Sequence, residues 1–337
     1  AKAAAAAAGV RPSPVQLGTA SDEPLVPADP QFGRQWHLHN TSKIHMNVQP
    51  AWRDGYRGAG VTVAIVDDGV QFVHPDLMEK FNALASYDFN EWDTDVTPNP
   101  LLHQGDHDDH GTPAAGLCCA AHNGAARTRA QAAYCGVGVA PAAAVSGLRI
   151  LGEMTVDYQN AAALCHQLHV NDVYSNSWGP PDTGQVVEGP DTLAKAAMEY
   201  AVRHGRQGKG VIYVWAGGNG HSRGDSCNFD GWANWRYTLT TASATERGTQ
   251  PYYSEECPAL HVTSPSSGLG AAMTTTDLLG AYGKTDKDCY NNFGGTSASA
   301  PIAAGAVAVV LEANPDLTWR DLQAVFVESA DALPLAP

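Results

Sequence analysis

No uninterrupted apolar run in the chain approaches a membrane span, and no charged-then-apolar leader opens it. There is no internal repeat. Positive charge is scarce: 20 Lys and Arg stand against 35 Asp and Glu, a formal charge of −15. That deficit argues against nucleic acid or an anionic membrane as a partner, and fits cationic ligands or metal ions. The seven cysteines (Cys118, Cys119, Cys135, Cys165, Cys227, Cys257 and Cys289) contain no C-x-x-C pair, which disfavours zinc-ribbon and thioredoxin chemistry. Their odd number leaves at least one thiol unpaired. Two disulfides with buried spares would suit an oxidising compartment and a fully reduced set the cytosol; spacing alone does not choose. The chain begins on Ala1, not Met, and reads as a processed or truncated piece.

At 337 residues, one domain around one large core is the default. Residues 1–28 are rich in Ala, Pro and Ser without a sustained apolar period, the composition of a linker or unordered tail. Folding is expected from Asp29 onward, as a single unit over 29–337. Val61–Val66 is a β-branched run between glycines, a strand buried on both faces, and it stops at Asp67-Asp68-Gly69. Residues 86–109 form a polar loop ending at His110-Gly111-Thr112-Pro113, where a small-residue helix begins and runs to about Ala121. Gly124–Tyr134 reads as a basic surface loop. Strands are expected at 143–150, 172–175 and 211–216, with helices at 156–170 and 191–206, the latter capped by Asp191. Thr318 and Asp321 form a capping box for a last helix reaching about Ala330. Strand and helix alternate, so the class is α/β, a mostly parallel sheet with helices on both faces.

The chemistry gathers around Gly294-Gly295-Thr296-Ser297-Ala298-Ser299-Ala300-Pro301. The glycines permit a tight turn, and an Ala/Ile/Val-rich helix follows to about Ala313. Ser297 sits at its start, where free N–H groups and the helix dipole favour developing negative charge. By itself it reads more readily as an N-cap, the commoner role of a lone Gly-Thr-Ser. With Asp67 at a strand end and His110 at another helix start, however, it completes the set that acyl transfer needs. Those are a hydroxyl nucleophile, an imidazole to take and return its proton, and a carboxylate to hold the imidazole's tautomer. Asn219, in the turn Gly217-Gly218-Asn219-Gly220 after a strand, supplies an amide N–H₂ for an oxyanion.

The order Asp67-Asp-Gly, His110-Gly-Thr, Gly218-Asn-Gly and Gly295-Thr-Ser-Ala-Ser-Ala-Pro resembles the subtilisin-like serine proteases, and more narrowly the kexin/furin-type proprotein convertases. Further matches are His74-Pro-Asp-Leu77, Ser177-Trp-Gly-Pro180, Asp225-Ser-Cys227, Tyr253-Ser-Glu255 and Leu317-Thr-Trp-Arg-Asp321. The resemblance runs from about Asp29 to Ala330. It implies a subtilisin-like fold, with Asp67, His110 and Ser297 as triad and Asn219 as oxyanion donor. It also implies a calcium-dependent endopeptidase of the secretory pathway, acting on protein and peptide substrates after Arg or Lys. The backbone of Ser177, Trp178 and Gly179 would pair with substrate. Asp182 and Asp230 would receive the basic side chain before the scissile bond, Asp68 the residue upstream of it, and Glu188 the residue four before the bond.

The resemblance implies calcium on Asp29, Asp76 and Asn123, on Asp182, Asp225 and Glu255, and on Asp88, Asp93 and Asp95. The 124–134 insertion enters the loop that completes the first of these. Family pairing would join Cys135 to Cys289 and Cys227 to Cys257, leaving Cys118, Cys119 and Cys165 free. Two positions depart from the pattern: His107 and Gln159 stand where acids are usual, which relaxes the demand for a multibasic site. A pro-segment and a C-terminal β-sandwich domain are expected in the full product. The rival readings are a subtilisin-like protease of broad specificity and a non-catalytic calcium-binding remnant of the family.

Overall fold

The computed structural model describes residues 27–39, 44–100, 108–124, 134–285 and 287–331. The expected tail therefore lies almost wholly outside the described residues, as do His107 and the arginines of the 124–134 loop. In chain order the elements are α1 Trp36–His39, α2 Gln49–Arg53, β1 Thr62–Asp67, α3 Pro75–Met78, β2 Tyr87–Asp88, α4 Gly111–Cys119, β3 Ala144–Arg149 and α5 Asp157–Leu164. Then follow β4 Val173–Asn176, α6 Thr192–Gly208, β5 Ile212–Ala216, β6 Thr238–Ala244, β7 Leu260–Pro265, β8 Met273–Thr276, β9 Cys289–Phe293, α7 Thr296–Ala313 and α8 Trp319–Ser329.

Seven strands make one sheet in the order β2-β3-β1-β4-β5-β6-β7. Every adjacent pair in it is parallel. All six residues of β1 are buried because both faces are covered, and its side chains alternate between two cores. Val63 and Ile65 enter the core that holds Ile302, Val307 and Leu311 of α7. Ala64 and Val66 enter the one that holds Ala194, Met198 and Ala201 of α6. The expected α/β class with helices on both faces is what the structure has. By length and composition α7 would suffice to cross a membrane, which the expectation from apolar runs did not anticipate; 72% of it is buried in this molecule. Its small side chains let it lie across the sheet as a core helix.

Some expectations are corrected. The helix expected over 156–170 stops at Leu164, and the chain then turns through Gln167 at φ 52. Asp191 makes no side-chain cap to α6. The Asp157 carboxylate instead accepts the N–H groups of Leu193 and Ala194, at 2.8 and 2.9 Å, so a neighbouring helix start does the capping. The disulfides Cys135–Cys289 and Cys227–Cys257 form as expected. Cys118 and Cys119, expected free, are consecutive on α4 with both side chains in the core and their sulfurs in contact. Cys165 is the one free cysteine among the described residues.

Candidate active site

In a parallel sheet all strand C-termini point one way, and α/β folds build their sites along that rim. Here β1, β4 and β5 are adjacent, so the residues ending them are neighbours: Asp67, then Ser177-Trp178-Gly179, then Gly217-Gly218-Asn219. Three stretches far apart in sequence thereby share one edge, and α7 begins across from them.

His110 Nδ1 meets both oxygens of Asp67, at 2.9 and 3.0 Å. Asp67 is 1% exposed, so little water competes for this contact. Burial alone would depress the imidazole. The Asp67 charge and its hydrogen bond outweigh that, Asp68 adds to them, and the pKa of His110 is raised from 6.5 to about 9. Asp68 holds the same histidine from behind: its oxygens accept the backbone N–H of His110 at 2.8 Å and of Gly111 at 2.7 Å. Burial, then the neighbouring Asp67 charge, push Asp68 up to about 7. Sequence reasoning gave Asp68 a place in substrate recognition; its carboxylate also anchors the start of α4.

Ser297 lies in the first turn of α7. Ser177 and Ser297 are linked reciprocally, Ser177 Oγ donating to Ser297 O at 3.0 Å and Ser297 Oγ to Ser177 O at 3.3 Å. Pro301 explains why Ser297 O is available. It stands four residues on in the helix and has no N–H to donate back. Among the described residues Ser297 Oγ bonds to the Ser177 carbonyl and not to His110, whose ring bonds to Asp67; in a site without substrate a nucleophile–base contact can be unmade and form on binding.

Asn219 is oriented by a residue that sequence reasoning missed. Its Oδ1 accepts from Thr296 N at 2.8 Å and from Thr296 Oγ1 at 3.0 Å. With the carbonyl end so engaged, Nδ2 is the end left to donate toward an oxyanion. Thr296 Oγ1 also accepts from Gly218 N at 3.1 Å, so it clamps the turn to the helix. Gly295 at φ 74 lets the chain enter α7 against Asn219, whose Oδ1 would lie 3.0 Å from any added Cβ. The only advance signal for Thr296 was its place beside the serine.

Along the rim, Asp230 accepts from Trp232 N at 2.7 Å and Ala233 N at 3.1 Å through Oδ1. Its other oxygen faces Gly179, 2.6 Å from where a Cβ would sit. Burial first, then the nearby charges of Asp182 and Asp225, raise it to about 7 despite those N–H bonds. A carboxylate held so, beside the backbone expected to pair with substrate, is suited to a cation. Glu188 is exposed and pairs backbone-to-backbone with Asp230, which sets it at the pocket's border. Gln159 turns away from any outer pocket: its Nε2 donates to Phe89 O at 2.7 Å, and its Oε1 accepts from Val156 N at 3.0 Å.

Two of the three expected metal sets come together. Asp182, Asp225 and Glu255 offer oxygens all within 4.8 Å of one another. Glu255 is pushed up to about 8 by burial and by its two acidic neighbours. Asp29 Oδ2, Asp76 Oδ1 and Asn123 Oδ1 are buried without a hydrogen-bond partner, which ordinary proteins avoid. Burial foremost drives Asp76 to about 7, with Asp29 adding charge. Oxygen-only donor sets of this kind suit a hard divalent cation. His74 and Asp76 also converge on Cys135, but that sulfur belongs to a disulfide and offers no thiolate.

The third set does not assemble. Asp88 Oδ2 pairs with Arg149 at 2.6 Å, and Oδ1 accepts from Asn90 and Glu91 N. Asp93 and Asp95 are exposed and cap their own turn, accepting from Asp95 N and Thr97 N respectively.

Furin-like protease 2 of Drosophila melanogaster is 45% identical over 91% of this chain, which covers 18% of that protein. Protease KEX1 of Kluyveromyces lactis is 44% identical over 91% of the chain and 38% of its own length. Proprotein convertase subtilisin/kexin type 4 of Mus musculus is 41% identical over 91% and 44%. The chain thus spans less than half the length of these curated relatives. Among solved structures, a serine protease of Aeromonas sobria superposes with a TM-score of 0.80 at 23% identity, covering 96% of this chain and 61% of that one. The Subtilase family model matches residues 58–336, which takes in Asp67, His110, Asn219 and Ser297 alike, and the chain belongs to that family.

Proposed function

We propose that residues 29–337 form the catalytic unit of a calcium-dependent serine endopeptidase that cleaves after Arg or Lys in the proprotein-processing manner. The observation that carries it is one rim presenting the Asp67–His110 pair, Ser297, Asn219 and the half-buried Asp230 together. Ser297 Oγ attacks the scissile carbonyl carbon while His110 Nε2 takes its proton, and the oxyanion is met by Asn219 Nδ2 and the helix start. The C–N bond then breaks as His110 returns the proton to the leaving amine. Water repeats the exchange on the acyl-enzyme and frees Ser297. Asp67 keeps the proton-bearing nitrogen of the ring toward itself throughout.

Basic side chains are selected because Asp230, aided by Asp182, would otherwise be an unmatched charge once substrate covers it. Calcium fits the Asp29–Asp76–Asn123 and Asp182–Asp225–Glu255 sets, the second beside the specificity pocket. There it supplies the positive charge that buried carboxylates need in order to stay ionised and fixed. The name proprotein convertase among the relatives supports protein precursors as substrates; the family resemblance carries the expectation of a pro-segment and a C-terminal β-sandwich domain in a longer product, and of the secretory pathway as the place of work. A test combines active-site labelling with profiling. A fluorophosphonate should label Ser297 of calcium-loaded protein and not Ser297→Ala, and peptide cleavage should follow Arg and Lys. Cleavage chiefly after apolar residues would replace this reading with a broad-specificity one, and absence of labelling on folded protein would make the chain a non-catalytic remnant.

A further inference from the structure

Arg149, at the end of β3, pairs in register with Asp67 at the end of β1. Its side chain is 2% exposed, yet it carries a full charge. All three guanidinium nitrogens are engaged, each with a different segment. Nε donates to Asp68 O at 3.1 Å, Nη1 to Asp88 Oδ2 at 2.6 Å and Nη2 to Asp108 Oδ2 at 2.8 Å. Asp108 in turn accepts from Asn99 N at 3.0 Å. The Asp68 carbonyl belongs to the loop that carries Asp67, Asp108 lies two residues before His110, and Asp88 ends β2. Gly152 leaves room for the fork: a Cβ there would come 2.2 Å from Nη2.

We infer that Arg149 is a positioning residue for the Asp67–His110 pair, a rigid three-way tie fixing the loop of the carboxylate against the loop of the imidazole. The inference rests on the triad reading above. Its reach is geometric. Asp68 is held at its carbonyl by Arg149 and holds the backbone of His110 and Gly111 through its carboxylate, while Asp108 is held directly. Arg149 therefore acts on His110 from both sides without touching substrate. A planar guanidinium with fixed donor directions can serve three acceptors lying in different segments. An ammonium at the same place keeps the charge but has neither the spread nor the plane.

A purely structural ion pair would also weaken the fold when broken, so the test reads chemistry. Arg149→Lys and Asp108→Asn are compared with wild type and with Glu91→Gln, whose carboxylate is exposed and 3.6 Å from Nη1. The readouts are the rate of Ser297 labelling by a neutral fluorophosphonate across pH, and kcat and KM on a basic peptide, all on protein shown folded by thermal melting. Arg149→Lys and Asp108→Asn should label about 10- to 100-fold more slowly, with kcat falling and KM little changed, as for a misplaced catalytic pair. The acid limb of the labelling profile should move down, because Lys retains the charge and only the Asp67–His110 contact loosens. Glu91→Gln should match wild type.

Folded Arg149→Lys or Asp108→Asn with wild-type rate and limb would overturn the inference, as would an equal effect in Glu91→Gln. Should Arg149→Lys fail to fold, Asp108→Asn, which keeps size and shape, decides alone. Wild type unlabelled at Ser297 would instead overturn the triad reading beneath it, and so the two failures are distinguishable.

Discussion

The Asp67–His110 contact sets the pH at which the proposed nucleophile can be activated. His110 is raised from 6.5 to about 9, and at roughly 1.4 kcal/mol per unit this is about 3 kcal/mol in favour of the imidazolium. The ring is 29% exposed, and water on its open side reduces that to about 2 kcal/mol. A base must be neutral to take a proton, so labelling of Ser297 by a neutral fluorophosphonate should rise with pH to a limb well above 6.5, toward 9. The reagent needs no basic pocket, so the titration of Asp230 does not enter. In Asp67→Asn the limb should fall toward the ordinary imidazole range and the plateau should drop on the order of 10⁴-fold. Stability follows the same linkage. The raised pKa means the pair contributes fully below 6.5 and loses its contribution as pH rises through about 9. Asp67→Asn should therefore lower the melting temperature more at pH 6 than at pH 10. A wild-type limb at or below 6.5, or one that Asp67→Asn leaves in place, would refute the reasoning.

Four further outcomes are expected. Asn219→Ala should cut kcat about 100- to 1000-fold with KM nearly unchanged, and Thr296→Val should do the same more weakly; steady-state kinetics on one peptide checks both. Asp230→Asn should lower kcat/KM for an Arg substrate about 100- to 1000-fold, as one member of an ion pair that bound substrate would enclose is lost, while fluorophosphonate labelling stays near wild type. Calcium at about 100 times its Kd should stabilise the protein by about 2.7 kcal/mol over chelator. Asp76→Asn should remove much of that gain, whereas equal melting curves with calcium and with chelator would count against the site. His37 is fully buried with neither ring nitrogen paired, and burial foremost, with His39 adding, lowers it to about 3. The unfolded chain takes up that proton first, so stability present above 6.5 is lost as pH falls toward 3, by about 1.4 kcal/mol per unit. His37→Leu should flatten that part of the stability–pH curve.

The strands legible in advance were those whose burial writes itself in β-branched apolar residues, as in Val61–Val66 and Val211–Ala216. The second half of the sheet was not. β6 is Thr-Leu-Thr-Thr-Ala-Ser-Ala, and β8, which pairs with β9 in a separate two-stranded sheet, is Met-Thr-Thr-Thr; all are buried despite their polar residues, because the hydroxyls reach backbone carbonyls that the fold brings to them. Thr240 bonds to Ala233 O, Thr275 to Pro113 O and Thr276 to Thr112 O. The residues proposed as catalytic were legible because each stands in its own short motif at an element end. Their supports were not: Thr296, Arg149 and Asp157 act on partners that adjoin them only once the sheet is assembled. The expected Asp88 cluster failed for the same reason, since an acidic stretch does not reveal a guanidinium arriving from β3.

The strand that ends in Asp67 lies in the middle of the sheet, between β3 and β4, neither of which follows it directly along the chain. Thr62 at its start bonds to Asp172, 110 residues further on. Its two flanks thus join only after long loops have closed, since β3 begins at Ala144 and β4 at Val173. Such connectivity makes assembly slow. Until then Asp67, His110, Asn219 and Ser297 are scattered over separate fragments, so under the proposed function a half-formed molecule of this kind has no means of digesting its neighbours.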